Sequence, residues 1–301
     1  LFVYFPKTLK SGENHAVSIS YKGKPRTAPR APWEGGFVWA EDEKGNPWVA
    51  VACQGFGASS WWPCKDHPSD EPDSMQMTYI TREDLMIIGN GKLVDSTTTN
   101  TFNSFVWKVK NPINSYNVTF YIGDYSEVKG TYGDKAISMY VLKGSEDKAR
   151  ELLNKEAVLM FEAFEHYFGQ YPYWQDGYKL VESPYWGMEH QSAIAYGNKY
   201  HINRFGLDFI LVHETGHEWF GNSITARDNA DLWIQEAFTT YSEFLFLEHK
   251  YSHKHAQQYF NLQKTQIFNE FPIRGPYDVH FDDWPHSDMY YKGAWIIHSL
   301  R

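Results

Sequence analysis

The feature that most constrains this chain is a change in the period of its apolar residues, from about two in its first third to about 3.6 beyond residue 145. Up to Asp124 short apolar or alternating runs are separated by Gly, Pro and Asn clusters. They are Ala16–Tyr21, Gly36–Ala40, Trp48–Ala52, Met75–Ile80, Phe105–Val109 and Tyr116–Ile122. Such spacing predicts an antiparallel β-sandwich or barrel. Asn90-Gly91, the dipeptide of type I′ turns, predicts a hairpin after Leu85–Ile88. From Ser145, read as an N-cap with Glu146 and Asp147 in the first turn, apolar residues recur at Ala149, Leu152, Leu153, Ala157, Met160, Phe161, Phe164 and Phe168, which predicts an amphipathic helix. Strands are expected at Tyr178–Glu182 and Ser192–Tyr196. Helices are expected at Gly206–Phe220, Asn229–Tyr251 and His253–Phe268, with another from about Ser287. The reading is α+β and multidomain, a β domain over residues 1–124 followed by a helix-rich α/β domain over 125–301. Leu1–Tyr4 reads as part of a strand and Arg301 falls inside a helical pattern, so the chain is expected to be a piece of a longer protein, partial at both ends.

With 301 residues, 42% of them hydrophobic, the chain can build a core in each of two domains. A formal net charge of −9 argues against a nucleic-acid partner, because phosphate binders concentrate Lys and Arg. No run of about 18 apolar residues is present to span a bilayer, and the first residues lack the marks of a signal peptide. Cys53 and Cys64 are either a single bridge or two free thiols. The aromatic-rich, cysteine-poor composition favours an exported or periplasmic bacterial protein.

The chemistry concentrates in His213-Glu214-Thr215-Gly216-His217, an H-E-x-x-H motif inside a helical pattern. Four helical residues turn the chain through roughly 400°, so both imidazoles share a face, one turn apart, in reach of one ion, with Glu214 beside them. A catalytic zinc takes three protein ligands and leaves one position open, and two His with one Glu is a known set. Eighteen residues separate His217 from Glu236, which lies in the next predicted helix. A helix, a short connection and a returning helix bring that carboxylate back over the first. Glu243, seven residues on and on the same face, is either a group that orients a ligand histidine or a solvated surface carboxylate.

His213-Glu-Thr-Gly-His-Glu-Trp-Phe-Gly-Asn222 followed by Leu232-Trp-Ile-Gln-Glu-Ala-Phe238 resembles the gluzincin zinc aminopeptidases, the group containing aminopeptidase N and leukotriene hydrolase. Gly187-Met188-Glu189-His190-Gln191 resembles the family's exopeptidase motif Gly-x-Met-Glu-Asn. Tyr290-Tyr291-Lys292-Gly293 resembles its Tyr-x-Lys-Gly segment, and Pro63-Cys64-Lys65-Asp66-His67-Pro68 its Pro-Cys-x-Asp-x-Pro turn, which sets Gln54 on a position where the family has Gln or Glu. The likeness runs from about Cys53 to Arg301 and is of bacterial type. It implies a thermolysin-like α/β catalytic domain behind a partial β-sandwich, and one zinc ion per chain on His213, His217 and Glu236. It also implies Glu214 as general base, Tyr290 as the hydrogen-bond donor to the oxyanion, and Glu189 with Gln54 as anchors for a free α-ammonium. The backbone of Gly187 and Met188 would pair with the substrate as an added strand. Departures are Trp186 where the family motif begins with Gly, His190 for Asn, Glu218 for the usual Gln, and Gln235-Glu236-Ala237 for Asn-Glu-Gly. The expected function is removal of N-terminal residues from peptides with a free N-terminus. A zinc endopeptidase or an epoxide hydrolase on the same site, and a non-catalytic zinc-binding module, are the alternatives.

Overall fold

The computed structural model describes residues 3–55, 57–279 and 287–301. Two antiparallel sheets form the N-terminal part. The first has the order β1-β2-β7-β4, from β1 (Gly36–Glu41), β2 (Pro47–Ala52), β7 (Phe120–Gly123) and β4 (Met86–Gly89). The second has the order β3-β6-β5, from β3 (Met75–Thr81), β6 (Asn103–Val109) and β5 (Lys92–Thr98). Val49, Val51 and Ile88 of the first share one core with Met77, Phe105 and Trp107 of the second, so the two lie face to face as a sandwich.

Four expectations are corrected here. Ala16–Tyr21 is not a strand: it has no ladder partners among the described residues, and Val17, Ile19 and Tyr21 are exposed. Val3 and Tyr4 are likewise irregular. Asn90-Gly91 does not close a hairpin, because β4 pairs with β7 while β5 pairs with β6. It is a corner that passes the chain between sheets. The buried Asn90 amide donates to the carbonyls of Asn117 and Gln191 and accepts from Thr119 N, and Gly91 (φ 76°) lies so close to Lys108 that a Cβ would meet its carbonyl oxygen at 2.1 Å. In Tyr116–Ile122 the strand begins only at Phe120, after a 3₁₀ turn at Ser115–Asn117.

A five-stranded mixed sheet follows, in the order β11-β12-β10-β9-β8. Its strands are β8 (Tyr125–Tyr132), β9 (Lys135–Leu142), β10 (Tyr178–Glu182), β11 (Gly187–Met188) and β12 (Ile194–Tyr196). The period-2 rule partitions its side chains. Ile137, Met139, Leu180 and Ile194 face the helices, whereas Tyr140, Val181 and Ala195 face the sandwich core. The helices are α1 (Glu146–Leu152), α2 (Val158–Phe168), α3 (Phe209–Gly216), α4 (Trp233–Lys250), α5 (His253–Gln263) and α6 (Tyr291–Leu300). A π-helical turn at Leu153–Ala157 joins α1 to α2. Ser145 provides no side-chain cap; the Glu146 carboxylate accepts from Gly144 N instead. The helix expected over Gly206–Phe220 spans only Phe209–Gly216, capped by the Asp208 carboxylate on Leu211 N, with His217 as the C-cap still in helical geometry. Among the described residues no helix is long and apolar enough to cross a membrane, and both thiols are free.

Candidate metal centre

Helices α3 and α4 cross closely because Gly216 has no side chain. A Cβ there would stand 2.7 Å from Ser242 Oγ and 3.2 Å from Thr239 Cγ2. That approach sets Glu236, in the first turn of α4, opposite both imidazoles. Glu236 Oε2 lies 3.4 Å from His217 Nε2 and 3.8 Å from His213 Nε2, with all three side chains buried.

The other ring nitrogen of each histidine is already engaged. His213 Nδ1 donates to Glu243 Oε1 at 2.8 Å, and His217 Nδ1 donates to the Phe220 carbonyl at 3.0 Å. Both Nε2 atoms therefore direct lone pairs at Glu236 Oε2, a buried oxygen without a hydrogen-bond partner among the described residues. Three electron-rich atoms converge on one point, which is the arrangement a cation relieves. A tetrahedral zinc with bonds of about 2.0–2.1 Å spaces its ligand atoms by about 3.3 Å, so the donor set fits zinc in type and separation. Proton affinities state the same demand. Burial disfavours the imidazolium of His217, yet Glu236 and Glu189 outweigh it and push its pKa up to about 9. Burial likewise opposes the Glu236 carboxylate, and the two histidines overcome it to hold the group near 2.

Glu243 is not a solvated carboxylate. It is 1% exposed, and its second oxygen accepts from Tyr259 OH and, at 2.7 Å, from Gln263 Nε2. Glu214 faces the same cleft, with a pKa raised to about 7 by burial against the pull of His213 and His217. Gly187 packs against it so tightly that a Cβ would be 2.5 Å from Glu214 Oε1. Gly187 and Met188 form the edge strand of the mixed sheet, so one side of their backbone borders the cleft.

Glu189 is buried, and a carboxylate oxygen of it lies within 4.8 Å of the nearest donor atoms of Glu214 and His217. Its Oε1 accepts from Gln54 Nε2 at 2.6 Å and from Tyr116 OH at 3.1 Å. Burial raises its pKa, His217 opposes the rise and Glu236 adds to it. Tyr290 is half-buried beside Glu236, Glu189 and Glu214; desolvation of its hydroxyl first, then these charges, raise its pKa and keep the phenol protonated. All ten residues expected at the site thus gather at one place, nine around a cleft of about 680 Å³ and Glu243 also reaching its wall.

Several contributors escaped the sequence reading. Tyr116 supports Glu189, Asn222 Nδ2 donates to the Glu189 carbonyl at 2.9 Å, and Thr239 Oγ1 lies 3.2 Å from His217 Nδ1. No spacing in the chain points to them. Glu218, a departure from the family pattern, ties the end of α3 to the loop after Met188: it accepts from Ser192 N at 2.8 Å, from Tyr171 OH at 2.7 Å and from Asn222. His190, the other departure, is fully buried with Nδ1 2.8 Å from Tyr121 OH.

Residues 153–301 match the peptidase family M1 domain. Endoplasmic reticulum aminopeptidase 1 of Mus musculus is 28% identical over 214 residues, 63% of this chain and 22% of that protein. Leucyl aminopeptidase of Saccharolobus solfataricus is 24% identical over 279 residues, 84% of this chain and 34% of that protein. The chain spans a fifth to a third of these relatives. Among solved structures, an M1 zinc metallopeptidase from Deinococcus radiodurans superimposes with a TM-score of 0.73 at 21% identity, over 93% of this chain and 62% of that one. Yeast LTA4 hydrolase gives 0.74 at 20%, over 88% and 43%. These likenesses establish the fold, a β-sandwich part followed by the α/β catalytic part.

Proposed function

We propose that this chain, which belongs through residues 153–301 to peptidase family M1 of the gluzincin zinc aminopeptidases, forms the core of an enzyme that removes N-terminal residues from peptides. His213, His217 and Glu236 would hold one zinc ion. When bound, it supplies Lewis acidity at the scissile carbonyl and to the attacking water. Glu214, poised near neutrality, accepts the proton of that water and returns it to the leaving amine. Tyr290, protonated at every working pH, donates its phenolic hydrogen to the oxyanion. Glu189 and Gln54 receive the substrate ammonium, while the edge backbone of Gly187 and Met188 aligns the peptide. Residues 1–124 and 125–301 act as two walls of the cleft, Gln54 on one and the metal donors on the other.

One observation carries the exopeptidase reading: a buried carboxylate, Glu189, stands within 4.8 Å of the metal-donor His217 and is held by Gln54 and Tyr116. A carboxylate so near the reacting centre leaves room for one residue between ammonium and scissile bond. An endopeptidase has no use for it. The test compares a free tripeptide with its N-acetylated form on the zinc-loaded protein. Hydrolysis of the free peptide alone is expected; equal cleavage of both would make the enzyme an endopeptidase.

A further inference from the structure

Trp186 stands where the exopeptidase motif otherwise begins with glycine, and it lines the cleft with 47% of its surface exposed. One face of its indole stacks on Phe209, with centroids 5.1 Å apart and planes 20° apart. Phe209 in turn stacks on His213 at 5.0 Å and 22°. The three rings form a column leading from the metal-donor histidine out to the cleft wall.

The column has a direction. Glu189 lies at the His217 end of α3, whereas Phe209 and Trp186 lie at its opposite end, one turn beyond His213. Trp186 and Glu189 flank the edge strand Gly187–Met188, three residues apart, which is about 10 Å of extended chain. A peptide anchored by its ammonium at Glu189 and opened over the metal donors therefore runs toward Trp186 with its leaving side. Resting on the aminopeptidase reading above, we infer that Trp186 is the platform for the side chain of the second substrate residue, and that the enzyme favours peptides whose second residue is aromatic. A ring laid on this indole buries large apolar area on both partners and gains offset stacking. A lysine at the same place gains only a half-exposed cation–π contact.

The experiment measures kcat/KM of the zinc-loaded protein on Ala-Phe-Ala, Ala-Lys-Ala and Ala-Ala-Ala by chromatography of released alanine, avoiding aromatic amide reporters that would themselves occupy the platform. A preference for the phenylalanine peptide of about tenfold over the alanine peptide is expected. It should fall to about one- to twofold in Trp186→Gly and stay within about twofold of wild type in Trp186→Phe. A merely structural Trp186 would depress all three substrates together and leave the ratios unchanged, which overturns the inference. So does a lysine peptide turned over as well as the phenylalanine one. Failure of the wild-type protein to cleave any of the three would instead remove the aminopeptidase reading on which the inference rests.

Discussion

Replacing Glu243 with glutamine tests whether the metal donors are held by charge or only by shape. In the wild type Oε1 accepts the His213 Nδ1 proton at 2.8 Å and Oε2 accepts from Tyr259 and Gln263, so one buried anion satisfies three donors. Glutamine keeps the volume but offers a single oxygen. With that oxygen turned to His213, its amide faces the Gln263 amide, donor against donor. Losing the charge on a group that orients a ligand histidine weakens metal affinity by about 10- to 100-fold. At saturating zinc that is about 1.4–2.7 kcal/mol less stabilisation by the metal. Competition against a chromophoric chelator reads the affinity, and melting with and without zinc reads the stabilisation, whose holo-minus-apo difference should shrink. Glu243→Ala should be worse, because Tyr259 and Gln263 then keep buried, unpaired donors at about 1–3 kcal/mol each. Zinc affinity of Glu243→Gln within twofold of wild type would refute the reasoning.

Glu214→Gln should keep about one zinc per chain while turnover collapses, whereas Glu236→Ala should lose the metal; elemental analysis beside a peptide assay separates the two. Gly187→Ala inserts a methyl 2.5 Å from Glu214 Oε1 and 2.8 Å from Ile210 Cδ1, so the Glu214 carboxylate or the edge strand must shift. A displacement near 1 Å predicts about a 100-fold loss in kcat with little change in melting temperature. Lys179 is buried, donates to the carbonyls of Gly91 and Ser192, and has its pKa lowered by burial to about 7 despite the nearby Glu218. The unfolded chain keeps that proton up to about pH 10.4, so this group makes stability rise with pH from about 7 upward, and below 7 the fold carries the full cost of the buried charge. In Lys179→Met that contribution to the slope of urea midpoints between pH 7 and 9 should disappear; an unchanged slope counts against it.

Most of the long helices were legible because their apolar stripes repeat over several turns, as in Trp233–Lys250. The strands were less so. Lys92–Thr98 is exposed at every position and carries no alternation, because it edges its sheet with both faces toward water. Ala16–Tyr21 has the alternation without the partner, and a strand exists only where another accepts its hydrogen bonds. The Asn90-Gly91 corner shows the same limit, since turn chemistry specifies a tight reversal but not the sheet in which the next strand pairs.

For the site, the sequence alone determined the two imidazoles and the adjoining carboxylate. Helical periodicity fixes residues four apart on one face whatever the remainder of the chain does. Tertiary structure decided everything that depends on distance between elements. It brought Glu236 to 3.4 Å from His217 across a glycine-permitted crossing, buried Glu243 between Tyr259 and Gln263, joined Gln54 to Glu189 over 135 residues and stacked Trp186 on Phe209. Contacts of that kind are set by how two faces of different elements pack, and a linear pattern encodes each face without encoding which other face it meets.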